Sequence, residues 1–186
     1  MYGLAGALLA LPWATRLIRK TGPRPAMYIN VLMTLLATIH GAFLLQAIWE
    51  TGTQVVSFEW LQVAGLNLSA SLDLSAVNLV FLGLTSGLSL LAQIYGMGYL
   101  EKDWALARFF ALMGFFEAAI SGVILSSSLF SSYFLLEMLT LSTYLIVGFW
   151  YAQPLVITAA RDAFLTKRYD DMLLMKERIN QRAKER

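Results

Sequence analysis

Five apolar runs separated by short polar breaks organise this chain, over residues 2–18, 27–49, 76–99, 107–125 and 132–152. A bilayer core of about 30 Å takes roughly 20 helical residues to cross, so each run predicts a transmembrane helix, the first at the short limit. Pro12 predicts a kink in that first helix. Between the second and third runs the pattern changes. Over 51–75, Leu66 and Leu68, then Leu72 and Leu74, alternate with polar residues, a period near two that predicts a β-hairpin outside the membrane. Gly65–Leu66 or Ser69–Ala70 would form its turn. Gly83 and Gly87 form a small-xxx-small pair in the third helix and predict close helix packing there. The expected fold is therefore an all-α integral membrane protein with about five transmembrane helices, a small extramembrane β-hairpin and a charged cytoplasmic C-terminal helix. The division is a membrane domain over 1–153 and a tail over 154–186.

Composition supports the membrane reading: 58% of the 186 residues are hydrophobic and 14% charged, against about 25% charged in ordinary soluble domains. Arg16, Arg19, Lys20 and Arg24 cluster in the first loop, which the positive-inside rule assigns to the cytoplasm, with the first helix starting outside. Residues 161–186 hold eight cations and five anions and are assigned to the same side, as a solvated, partly frayed helix. The hairpin segment carries only acids, Glu50, Glu59 and Asp73, and falls on the other side. Trp49 and Trp60 suit an interfacial aromatic belt. Residues 1–11 are apolar without a basic start, unlike a cleavable signal peptide. No basic patch interleaved with aromatics points to nucleic acid. There is no cysteine and one histidine, which excludes thiolate chemistry, cysteine-held clusters and multi-histidine metal or haem sites in this chain. Phosphate loops, dinucleotide fingerprints and nucleophile motifs are also missing.

Chemistry concentrates in two acids within apolar runs. Glu137 lies in SSYFLLEMLTLSTYLIVGFWY and Glu117 in the helix before it; a charge near the bilayer centre costs about 2.5 kcal/mol or more, so each is a functional candidate with a partner to be found. If the serine-rich turn over 126–132 centres on Leu129, the two acids differ in depth by roughly 6 Å. Glu137, Thr140 and Tyr144 fall on one helical face by i, i+3, i+7 spacing, a file that can order water and pass protons. The plainer reading has Thr140 bonding a backbone carbonyl and Tyr144 packing. His40 shares a helix surface with Leu36, Phe43 and Leu44 and is a weaker proton-carrying candidate beside an ordinary packing role.

With those residues placed, GYLEKDWALARFFALMGFFE, LLEMLTLSTYLIVGFWYAQP and ARDAFLTKR resemble the NdhF/NuoL family, the antiporter-like membrane subunit of complex I, over about residues 2–171. Where respiratory members read W-E-L-V-G, the run Leu136-Glu137-Met138-Leu139-Thr140 is similar to the NdhF variants of cyanobacterial CO2-uptake NAD(P)H dehydrogenase-like complexes, as are IRKTGPRPA and YAQPLVITAARDAFLTKR. The resemblance implies a proton-relay role for Glu137 against a lysine on a later helix. Arg168 and Asp171 fit the ends of the family's R-V-G-D motif, while Tyr169 and Asp170 replace its middle. It further implies other membrane subunits as partners, a soluble CO2-hydrating subunit, a cyanobacterial thylakoid location, and plastoquinone and iron–sulfur clusters held by other chains. The partner lysine, the broken helices of the pump and the lateral helix fall outside this sequence, so the expectation is one half of a proton path. Two other readings stand beside proton translocation: a non-catalytic scaffold that docks partner subunits, and a small oligomeric transporter built around the acid-bearing hairpin.

Overall fold

The computed structural model describes residues 1–18, 20–63 and 66–184. In order these form α1 (Tyr2–Ala14), α2 (Arg24–Thr51), β1 (Gln54–Val63), β2 (Leu66–Leu74), α3 (Ala76–Tyr99), α4 (Leu106–Leu125), α5 (Leu129–Val147) and α6 (Pro154–Lys184). Helices α2 to α5 are long and apolar enough to cross a membrane, and α1 is a shorter apolar helix. The chain is an integral membrane protein.

Local chemistry sets the element ends. α1 stops at Ala14 rather than 18, because Arg16 turns into the left-handed region at φ 60 and the N–H groups of Thr15 and Arg16 close on the Leu11 and Trp13 carbonyls. Its 13 residues rise about 20 Å, which is less than one hydrocarbon thickness. α2 starts beside Pro23 and Pro25, where proline's missing N–H costs nothing. α3 is capped by Ser75, whose Oγ accepts the Asn78 N–H at 3.3 Å. Asn78 Nδ2 also donates to the Asp73 carbonyl at 3.1 Å and so ties the helix to the preceding strand. The serine-rich turn is shorter than expected, since α5 already begins at Leu129. α5 also ends sooner, at Val147 before Gly148.

The two strands pair antiparallel from Gln54–Leu74 to Val63–Leu66, with an irregularity between Glu59 and Leu61. Ser69 and Ala70 pair with Glu59 and Phe58 in mid-ladder, so the turn is not there; Gly65, in the other expected turn, lies outside the described residues, as do Arg19, Glu185 and Arg186 of the charged segments. The hairpin rests on the α4–α5 turn, where the Ser127 N–H donates to the Ser71 carbonyl at 3.0 Å and Ser127 Oγ to Ser71 Oγ at 2.8 Å. Trp49 is exposed at the α2 end nearby, as an interfacial residue should be. The side chain of Trp60 lies outside the described ones.

Packing is closest between α1 and α4, along small residues. A Cβ on Gly3 would meet the Gly114 carbonyl at 2.8 Å, and one on Gly114 would run into Asn30 Oδ1 and meet the Gly3 carbonyl at 2.9 Å. Ala10, Ala26, Ala107 and Ala111 continue the seam as a buried cluster. The expected Gly83–Gly87 seam is not where the helices meet, because a Cβ at either would meet nothing within 4 Å. A second apolar cluster of Met27, Leu100, Leu106, Phe110 and Phe149 closes the opposite end from the hairpin.

The last helix departs most from expectation. α6 is one continuous 31-residue helix from Pro154, and its first half packs on α5 rather than lying in solvent. Its contacts pair Phe164 with Tyr144, Lys167 with Thr143, and Asp171 with Thr140, so it runs antiparallel to α5, back towards the hairpin end. The tail's far turns therefore do not lie beside the arginine-rich loop. Ala160, Phe164, Lys167, Arg168 and Asp171 recur at helical spacing and form the stripe that meets α5.

Candidate functional site

The α5–α6 seam brings together most of the residues singled out in the sequence. Glu137 on α5 forms an ion pair with Arg168 on α6, with side chains 28% and 40% exposed. One turn further along, Thr140 Oγ1 donates to Asp171 Oδ2 at 2.6 Å, and both residues are buried. Lys167 Nζ then donates to Thr143 Oγ1 at 3.1 Å. The seam thus holds two carboxylates and two cations, each with a partner across or along the interface. This balance lets charges sit against an apolar helix, since an unpaired charge there costs several kcal/mol while a paired one has its field cancelled locally. Thr140 bonds the Asp171 carboxylate rather than a backbone carbonyl, so it extends the ionic row. Tyr144 takes the plainer role, its ring edge-on to Phe164 at 5.5 Å.

Glu117 sits in a separate cluster. It is 2% exposed and is held by α2 and α3: Thr34 Oγ1 donates to its Oε2 at 2.5 Å, Ser89 Oγ at 3.3 Å and Gln93 Nε2 at 3.4 Å. Gln93 Nε2 also donates to Thr34 Oγ1 at 2.8 Å. All three bonds fall on one carboxylate oxygen, and among the described residues no cation pairs with this acid. Two further buried acceptors, Asn30 Oδ1 and Gln93 Oε1, have no hydrogen-bond partner among the described residues. The cluster is therefore rich in acceptors, and among the described residues it contains no ion pair, unlike the Glu137 seam.

The two acids lie at equal depth. Glu117 precedes the end of α4 at Leu125 by the same number of residues as Glu137 follows the start of α5 at Leu129, so the expected 6 Å offset vanishes with the shorter turn. Their side chains nevertheless belong to different interfaces, and the hydrogen-bond partners of one are not those of the other. His40 joins neither cluster: it is exposed, with Nδ1 3.5 Å from the Tyr2 hydroxyl and the two rings 5.6 Å apart. The sequence reading missed Thr34, Gln93 and Lys167. The first two carry a signal in hindsight, since Asn30 and Thr34 on α2, and Ser86, Ser89 and Gln93 on α3, form polar lines at i, i+4 and i, i+3, i+7 in otherwise apolar runs. Among the described residues no group of three or more His, Cys, Asp or Glu side chains is placed to hold a metal ion.

Comparison with known proteins places the sequence rather than the site. Residues 60–110 match the family model described as NADH-Ubiquinone oxidoreductase (complex I), chain 5 N-terminus. The chain is 59% identical over 177 residues to an NAD(P)H-quinone oxidoreductase subunit 5 of the organellar chromatophore of Paulinella chromatophora, an alignment covering 94% of this chain and 29% of that protein. It is 29% identical over 173 residues to the chloroplastic subunit 5 of Aethionema cordifolium, covering 92% of this chain and 23% of the relative. The chloroplastic subunit 5 of Aethionema grandiflorum is 30% identical over 184 residues, again covering 92% and 23%. The chain thus spans less than a third of the length of these relatives. By sequence it belongs to the NdhF/NuoL family, complex I subunit 5, and corresponds to the N-terminal portion of its members.

Proposed function

We propose that the chain supplies the first helices of subunit 5 in a multi-subunit NAD(P)H-quinone oxidoreductase, and that its α5–α6 seam passes protons as part of that complex. The observation that carries the reading is the Glu137–Arg168 ion pair with the Thr140–Asp171 bond beside it. An ion pair part-open to its surroundings is a gate: while Arg168 holds the carboxylate, Glu137 stays charged, and when the pair opens the acid can take a proton and hand it on. The Asp171 carboxylate, bonded one turn away, offers a second resting place for Arg168. Quinone reduction takes place on other chains of the complex, which hold the iron–sulfur clusters and plastoquinone. The variant run Leu136–Thr140 and the loop sequences favour a CO2-uptake form of the complex, in a cyanobacterial thylakoid, with a soluble CO2-hydrating subunit on its membrane arm.

In vesicles carrying the complete complex, Glu137→Gln removes the charge while keeping the shape of the side chain. The expected result is an assembled complex that oxidises its donor but pumps protons several-fold more slowly. Full pumping in this variant would overturn the relay and leave the scaffold reading, which the open faces of Gly83 and Gly87 on α3 also suit as a contact for a neighbouring helix.

A further inference from the structure

At the end of the bundle away from the hairpin, two arginines share one tryptophan. The Arg16 guanidinium lies 4.5 Å from the Trp104 ring centroid and that of Arg108 5.7 Å from it. Arg108 also lies 4.7 Å from the Tyr151 ring and donates to the Phe149 carbonyl. Each arginine lines its own cavity. Arg108 borders one of about 220 Å³ with Leu112, Tyr144, Leu145, Tyr151 and Ile157. Arg16 borders one of about 140 Å³ with Trp13, Gly22, Pro23 and Trp104. Trp104, itself exposed, belongs to the wall of the second and stacks on the guanidinium in the first.

Among the described residues neither nearby acid forms an ion pair with Arg16 or Arg108. Glu101 is engaged by Arg24 at 3.1 Å, and Asp103 accepts the Ala105 N–H at 2.8 Å and the Trp150 indole N–H at 3.4 Å. Among the described residues Arg16 forms no ion pair. Its backbone holds the left-handed conformation, φ 60, which is unfavourable for a residue with a Cβ. The turn is pinned by the Arg16 N–H on the Trp13 carbonyl, the Ile18 N–H on the Pro12 carbonyl and the Trp13 indole on Thr21 Oγ1 at 2.9 Å. A rigid turn thus presents an unpaired guanidinium over an aromatic platform at the level where spans end and lipid headgroups begin. Below Arg108 the cavity wall becomes aliphatic, with Leu112, Leu145 and Ile157.

We infer that Arg16, Trp104 and Arg108 form a binding site for an anionic membrane lipid, its phosphate held by the two guanidiniums and an acyl chain lying along Leu112, Leu145 and Ile157. Arginine's forked donors match phosphate oxygens, and the aliphatic wall selects a lipid over a free anion. The test uses the full chain in detergent, with phosphatidylglycerol, phosphatidylcholine or inorganic phosphate added separately, read by native mass spectrometry and by melting temperature. Phosphatidylglycerol should be retained and should raise the melting temperature, while the other two do neither. Arg16→Asn tolerates the left-handed backbone and removes the cation, and should weaken phosphatidylglycerol retention roughly tenfold, the worth of one charge-assisted bond. Arg16→Lys should keep much of it. Equal retention of phosphatidylcholine, or unchanged retention by Arg16→Asn with its melting temperature intact, would overturn the site. Inorganic phosphate acting as strongly as phosphatidylglycerol would overturn its assignment to lipid.

Discussion

At the scale of single residues, the question is how this chain keeps charges on helices that the bilayer should reject. Glu137 and Asp171 each meet a partner on the facing helix, and Thr140 and Thr143 supply the neutral links in the row. Thr140→Val keeps the shape and removes the hydroxyl, so the buried Asp171 loses its 2.6 Å donor. The loss should cost about 1–2 kcal/mol, the upper range for an interhelical bond within a membrane. It reads as a lower melting temperature of the purified chain, with Thr140→Ser restoring most of the difference. An unchanged melting point for the valine variant would mean that Thr140 and Asp171 are not bonded. The sequence made Glu137 and Thr140 legible because a polar side chain in an apolar run stands out. It did not reveal that Arg168 and Asp171 face them, since that depends on the direction α6 takes after Pro154. His40 stood out for the same reason as Glu137, yet it faces outward, because periodicity assigns a face but not what covers it.

At the scale of elements, glycine spacing alone misplaces the closest contact. Gly83 and Gly87 have the four-residue spacing of a helix-dimer motif, but the backbone-to-backbone approach is at Gly3 and Gly114, which lie on different helices and share no sequence motif. A small residue permits close packing; only a facing small residue makes it happen. Gly114→Ala drives a methyl group into Asn30 Oδ1 and places it 2.9 Å from the Gly3 carbonyl, contacts that force α1 away from α4. Overpacking of this kind should destabilise by about 1–3 kcal/mol. Gly83→Ala and Gly87→Ala add a methyl to open space and should be neutral or stabilise by up to about 1 kcal/mol through helix propensity. The three melting temperatures check this, and the seam assignment falls if Gly83→Ala destabilises as much as Gly114→Ala. The same contrast explains why the helix count was legible while helix ends were not. Apolar length is additive along the sequence, whereas an end such as Ala14 depends on one backbone turn at Arg16.

At the scale of the whole molecule, α6 decides how the charged tail relates to the bundle. Its first half is held by the paired charges of the α5 seam, and its antiparallel course carries Lys176 towards the hairpin end. The outward side of this helix includes Arg161, Asp162 and Asp170, residues too costly to leave against hydrocarbon, so in the membrane that side must meet water or another protein surface. A chain without cysteine suits a direct test. Lys20→Cys, Ser57→Cys and Lys176→Cys each introduce one thiol at an exposed position, and a membrane-impermeant maleimide added to one side of sealed vesicles reports which side each reaches. The structure predicts that Lys20→Cys labels from one side and Ser57→Cys from the other, and that Lys176→Cys follows Ser57→Cys. If Lys176→Cys instead labels with Lys20→Cys, the helix leaves α5 once it is in a bilayer, the Glu137–Arg168 pair opens, and the proton gate proposed for the seam loses its cation.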